Sequence, residues 1–227
     1  MRGESEKGAA TRLRIMRTAA DLFHKQGVGA TSPDEILEAA RAGKGQFYHY
    51  FRSKEGLVHQ VLLSYIEGVE AGTSAVDYEV HSWEDLERWF ASHVELQKRF
   101  RMLRGCPFGT IANGVTETDE LVRQDLSHLF EIVKNKLRAF FIREKAQGRL
   151  TADADEDRLA DFCIAAIQGA MLMGKVKRNA QPVEAAVKEV LAHLRGHIAA
   201  SATQAAASSA VREPAAKPKA RRRSARR

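Results

Sequence analysis

The sequence predicts an all-α protein, a small N-terminal helical bundle followed by a larger helical domain. Three observations carry this. Apolar residues recur at helical spacing through most of the 227 residues. No alternating apolar and polar run bounded by hairpin turn signals stands out. Helix-start signals, in which a serine or proline precedes an acidic or apolar turn, recur along the chain.

The elements follow in order. Ile15, Met16, Ala19, Ala20 and Phe23 mark a first helix, stopped at Gly27 or Gly29. Ser32-Pro33-Asp34-Glu35 opens a second. Ser32 can cap, Pro33 suits the first helical position, and Glu35 closes a capping box. That helix runs to Ala40, and a short third follows at Lys44–Tyr50. Ser53-Lys54-Glu55 caps a fourth, which passes through Leu57, Val61 and Tyr65 to Ala71. Gly72 to Ser82 reads as a loop. Ser82-Trp83-Glu84-Asp85 opens a fifth helix with an acidic first turn, ending near Gly105. Cys106-Pro107 starts a short helix that stops at Asn113-Gly114. Long helices follow at 118–147, 154–178 and, from Pro182, to Ala200.

These elements divide the chain into a flexible start at 1–10, an N-terminal bundle at 11–52, a connecting helix at 53–71 and a larger domain at 72–200. Residues 201–227 are rich in Ala, Ser, Pro, Lys and Arg, a composition that predicts disorder.

Apolar residues make up 44% of the chain, enough for a substantial core. The apolar stretch from Phe162 to Gly174, interrupted by Gln168, is too short for a bilayer span, and the polar first ten residues lack a signal-peptide pattern. A cytoplasmic protein without membrane partners is expected. Two cysteines, Cys106 and Cys163, make neither a disulfide framework nor a zinc site. The net charge of +7 sits in the tail: residues 212–227 hold eight Lys/Arg and one Glu, so the rest of the chain is neutral. The exception is a modest local excess in residues 1–60, with ten basic and seven acidic groups.

Two short helices joined by a tight turn and flanked by two more form a helix-turn-helix. Phe47 and Phe51, four apart, can pack on Ile36, Leu37 and the first helix, leaving Lys44, Gln46, Tyr48 and His49 facing out. Exposed phenol and imidazole groups find suitable partners in phosphate oxygens. Gly45 leaves room for a backbone to approach DNA, and the start of this helix offers free N–H groups to a phosphate. His49 and Arg41 are further phosphate candidates.

Residues 12–60 resemble the DNA-binding region of the TetR family of bacterial repressors. The likeness rests on Thr31-Ser32, Ile36, the run Lys44-Gly45-Gln46-Phe47-Tyr48-His49-Tyr50-Phe51, and Ser53-Lys54-Glu55. It implies that Tyr48 and Lys54 bind phosphates, that Thr31 and Ser32 lie near the DNA backbone, and that Lys44 and Gln46 help read bases. Gln46 has the chemistry to pair with adenine and Lys44 to reach guanine. The turn departs from the family pattern. Arg41-Ala42-Gly43 stands where a glycine, an apolar residue and a capping serine are usual, so Arg41 falls where φ is expected to be positive.

The resemblance also implies that the larger domain binds a small-molecule inducer and forms a homodimer through its last two helices, with Ile164, Ile167 and Leu172 on one and Val187, Leu191 and Leu194 on the other. A two-fold dimer sets its recognition helices about one DNA turn apart and reads a near-palindrome in double-stranded DNA. The pocket candidates are Phe108, Phe130, Phe162 and Met171, drawn from different helices. Gly105-Cys106-Pro107 puts a thiol at a helix start, where the dipole favours the thiolate. It resembles a TetR subgroup in which this cysteine senses oxidants or electrophiles with a lysine nearby, here Lys175. Cys163, in an apolar run, reads as inert core.

Asp153, Asp155, Glu156 and Asp157 lack the glycine and distal glutamate of a calcium loop and read as an acidic helix start. His193 and His197 are four apart but have no third metal ligand in the pattern. No phosphate loop, dinucleotide fingerprint or nucleophile elbow is present, so neither an enzyme nor a cofactor is expected. Besides a ligand-responsive repressor, two alternatives remain: a redox or electrophile sensor acting through Cys106, and a nonspecific DNA-binding protein driven by the basic tail.

Overall fold

A computed structural model describes residues 6–116 and 118–200. The expectations for residues 201–227, and for the first five residues, lie outside them. Among the described residues the chain forms nine helices and no strand: α1 (Glu6–Gln26), α2 (Pro33–Ala40), α3 (Lys44–Phe51), α4 (Lys54–Glu70), α5 (Trp83–Arg99), α6 (Pro107–Ala112), α7 (Glu120–Ala146), α8 (Glu156–Lys177) and α9 (Gln181–Arg195). The expected flexible start at 1–10 is corrected in part, since α1 is already helical from Glu6.

The first three helices form because their apolar faces converge. Ile15, Ala19 and Phe23 of α1 meet Ile36 and Leu37 of α2 and Phe47 and Phe51 of α3, all buried. Ser32 caps α2 by accepting from the Glu35 amide at 3.1 Å. The Glu35 carboxylate, expected to close a capping box, accepts instead from the Gln26 side-chain amide at 2.9 Å and ties α2 to the end of α1. Ser53 caps α4 by accepting from the Gly56 amide at 3.0 Å. Gly56 is a steric requirement here, because a Cβ at this position would lie 2.1 Å from the Phe51 carbonyl oxygen.

Helix α4 leaves this bundle and packs along α7, with the His59 Nδ1–H donating to Asp125 at 2.6 Å. Helix α5 ends at Arg99, short of the expected Gly105. Arg101 and Met102 adopt positive φ, and the Met102 amide turns back to the Gln97 carbonyl at 2.9 Å. Helices α7, α8 and α9 pack side by side around Leu137, Phe140, Phe141, Cys163 and Leu194. At the base of α5, Glu144 is buried, accepts from Trp83 Nε1 at 2.9 Å and is paired with Arg149.

Helix α8, at 22 residues, is long and apolar enough by length and composition to cross a membrane. Its inner face packs on α5, α7 and α9 through Leu159, Cys163, Ile167 and Met171, as a core helix does.

Candidate nucleic-acid interface and effector cavity

The recognition surface is built on α3. Burial of Phe47 and Phe51 fixes the rotation of this helix, with their ring centroids 5.7 Å apart. Lys44, Gly45, Gln46, Tyr48 and His49 therefore point outward, and Tyr48 is 57% exposed. Two of these side chains are already engaged. Lys44 is paired with Asp34 at 2.9 Å, which raises its pKa by hydrogen bonding and charge. The Gln46 Oε1 accepts from the Gly43 amide at 3.0 Å and so caps the helix that carries it.

The unusual turn is resolved by geometry. Arg41 takes a left-handed conformation (φ 49°, ψ 52°), and Ala42 donates its amide to Leu37 at 2.9 Å. Gly43 supplies no side-chain cap, and the Gln46 side chain covers its amide instead. Arg41 and Ser32 are exposed on the same module, and Lys54 is half-buried at the start of α4. Thr31 requires a correction. It is 1% exposed and its hydroxyl donates to the Gly27 carbonyl at 2.7 Å, so it closes the α1–α2 turn and its side chain is not at the surface.

Above the module lies a cavity of about 450 Å³, between α1, α4, the 72–80 loop, α5, α6 and α8. Its apolar walls include Val76, Leu96, Phe108 and Met171, and its polar groups include Tyr65, Tyr78, His93 and Arg17. Burial pushes the Tyr65 hydroxyl up to about 12 and the Tyr78 hydroxyl higher still, so both are donors at neutral pH. Burial lowers His93 to about 4, and its Nδ1–H donates to the Trp89 carbonyl at 2.8 Å.

Of the four expected pocket residues, Phe108 and Met171 line this cavity. Phe130 lines a neighbouring cavity of about 320 Å³, with its ring 6.3 Å from that of Phe108. Phe162 is a correction. It is 38% exposed on the outer face of α8 and meets His193 edge-on, with ring centroids 4.9 Å apart, because α8 turns the opposite face to the core. Sequence reasoning missed Arg17, Tyr65, Tyr78 and His93. The available signal was His93 with Gln97, two polar residues on the otherwise apolar face that carries Trp89.

Cys106 lines both cavities, and Lys175 shares the smaller one with it. The expected lowering of the thiol pKa is overturned. Burial pushes it up, outweighing the Phe108 and Gly109 amides and the Gln168 side chain, which pull the other way. Lys175 is not among the groups that act on the thiol. The same balance raises Cys163 to about 12, in keeping with inert core.

The expected dimer residues divide. Ile167 is 2% and Leu194 0% exposed, so both belong to the protomer core and are corrected. Ile164, Val187 and Leu191 are half-buried, the latter two in a groove against α5. Leu172 is exposed, in an outward stripe with Phe162, Met173 and Val176.

A helix-turn-helix with a polar, aromatic recognition helix, carried beneath an all-helical domain, defines a DNA-binding regulator. Two family models match: residues 15–61 fit that of bacterial regulatory proteins of the tetR family, and residues 83–190 that of the tetracyclin repressor-like C-terminal domain. Together they span more than half of the chain, which belongs to the TetR family. It is similar to the HTH-type transcriptional repressor DhaR of Mycobacterium sp. strain GP1, 29% identical over 76% of this chain and 86% of that protein. It is also similar to the repressor NemR of Escherichia coli K12, 28% identical over 85% of this chain and 96% of that one. Among solved structures, a regulatory protein TetR from Rhodobacter sphaeroides superposes with a TM-score of 0.71 and 25% identity, covering 83% of this chain and 99% of its own. The family and these relatives are transcriptional regulators, not enzymes.

Proposed function

We propose that the chain is a homodimeric repressor that releases a near-palindromic operator when a small molecule fills the 450 Å³ cavity. The observation that carries this is a cavity walled by parts of both the DNA-binding module and the helical domain. Arg17 comes from α1 and Tyr65 from α4, whereas Tyr78, Phe108 and Met171 come from beyond. A ligand that changes these walls changes how α1 and α4 sit, and with them α3. The coupling is reciprocal: ligand and operator weaken each other.

In this reading Tyr48, His49, Arg41, Ser32 and Lys54 hold phosphates, Gly45 admits the DNA backbone, and Lys44 and Gln46 read bases. To do so, Lys44 exchanges Asp34 for DNA, and Gln46 reads through the Nε2 that its capping role leaves available. The outward stripe of α8, Leu172 with Phe162, Met173 and Val176, packs on the second copy, flanked by α9. The test is operator release measured by fluorescence anisotropy against a small-molecule panel. A ligand that binds in the cavity without changing operator affinity overturns the mechanism.

A second reading is favoured by the position of Cys106 on the walls of two cavities, where an electrophile that enters meets the thiol. Its raised pKa makes that capture slow unless the electrophile is held in place. Comparing the wild-type chain with Cys106→Ser for operator release by an electrophile separates the two. Deleting residues 201–227 tests the tail-driven alternative, which predicts that specific and nonspecific binding fall together.

A further inference from the structure

We propose that the cavity selects a small carboxylate with an apolar body, its anionic group held by Arg17 at the mouth and its body among Val76, Leu96, Phe108 and Met171. The inference rests on the effector reading above and adds the charge of the ligand. Among the described residues that line the cavity there is no Asp or Glu, and Arg17 is its one ionised side chain. Arg17 is exposed, and its side chain makes no ion pair or hydrogen bond among the described residues. The carboxylate one turn further along α1, Asp21, is engaged elsewhere, by Arg104 at 2.6 Å.

The remaining polar walls suit an anion. An anion leaving water for an apolar cavity loses hydration, which has to be offset by a cation and by hydrogen-bond donors. The hydroxyls of Tyr65, Tyr78 and Thr73 are such donors, and none of them carries a charge, whereas that of Ser64 is already donated to the Val61 carbonyl at 2.7 Å. A cationic ligand would meet only Arg17, of its own sign. A neutral ligand would leave that guanidinium without a role.

The same placement gives the ligand its leverage. Arg17 belongs to α1, whose buried face packs on α2 and α3. Its neighbours across the cavity belong to the 72–80 loop and α6. A carboxylate between them makes contacts that differ between two positions of α1, as a ligand must if it is to shift an equilibrium. Next to the cavity, His24 of α1 already donates to the Gly105 carbonyl at 2.8 Å, so movement at the α6 start reaches α1 directly.

The test uses full-length protein and three matched series: benzoate, benzamide and benzylamine; phenylacetate, phenylacetamide and phenethylamine; octanoate, octanamide and octylamine. Thermal stabilisation and calorimetric Kd are read at constant ionic strength. The carboxylate of at least one series should bind about tenfold tighter than its amide, with the amine weakest. Arg17→Met should abolish that ratio, and Arg17→Lys should restore part of it. Arg17 is exposed and unpaired, so both variants are expected to fold, and melting without ligand checks this. Amides that bind as well as or better than carboxylates, or a ratio unchanged in Arg17→Met, overturn the charge assignment but leave the effector cavity standing. If no probe of any charge binds at millimolar concentration, the effector reading falls as well.

Discussion

In the proposed reading, Arg41 serves function against stability. Its left-handed backbone costs about 1 kcal/mol relative to glycine. Arg41→Gly should therefore raise stability by up to ~1 kcal/mol in chemical denaturation while weakening DNA binding through loss of the proposed phosphate contact. A loss of stability in that variant would contradict the geometry. For Gln46, capping of Gly43 and the proposed base reading are joined. Gln46→Ala should lower stability by roughly 0.5–1 kcal/mol and also change which operator sequence is preferred, as binding-site selection would reveal. The positive φ at Arg41 was legible, because the turn pattern demands it. The fate of Thr31 was not, since a hydroxyl beside a helix cap can face either solvent or its own backbone. For Cys106, helix-dipole reasoning named a real contribution but not its rival, burial, which the sequence does not reveal. Alkylation of Cys106 by iodoacetamide at pH 7 should be slow in the native state and become fast on unfolding.

At the scale of elements, helix starts were read well because serine caps and prolines are local signals. Ser32, Ser53 and Ser82 all cap where the sequence places them. Helix ends were read less well, as at α5, whose stop at Arg99 depends on Arg101 and Met102 entering positive φ without a glycine. Which face of α8 turns inward was also illegible. Apolar residues surround that helix, so Phe162 and Ile167 look alike in sequence although one is outside and the other inside. Close approaches between elements leave no mark except a glycine. Gly56→Ala would force α4 away from the end of α3, and should lower both thermal stability and operator affinity. An unchanged melting temperature would show that the two helices can separate freely.

For the whole molecule, the all-α class and the helix-turn-helix were legible because they rest on periodicity and a dense motif. The cavity was legible only in part. It is assembled from α1, α4, a loop, α5, α6 and α8, and nothing local tells Tyr65 or His93 that they share a wall. The buried histidines give the molecule a pH signature. Burial lowers the pKa of His93 to about 4 and holds that of His24 below its ordinary value, so the unfolded chain binds protons that the folded one refuses. Stability should be full above the ordinary histidine pKa of 6.5 and fall as the pH drops toward 4, by on the order of a few kcal/mol. His93→Gln should flatten that fall in denaturant titrations. In the proposed dimer, Leu172→Glu places a charge in the apolar stripe of α8 and should yield monomers in sedimentation, with operator binding lost.

The most direct measurement is anisotropy of the full chain on DNA from beside its own gene, with wild type, Tyr48→Ala and Gln46→Ala compared across salt concentrations. The expected result is tight binding to a near-palindrome. Tyr48→Ala should weaken binding to every sequence, whereas Gln46→Ala should redistribute preference among sequences. Binding that shows no preference for any site, or that survives Tyr48→Ala unchanged, would contradict a recognition helix centred on residues 44–49.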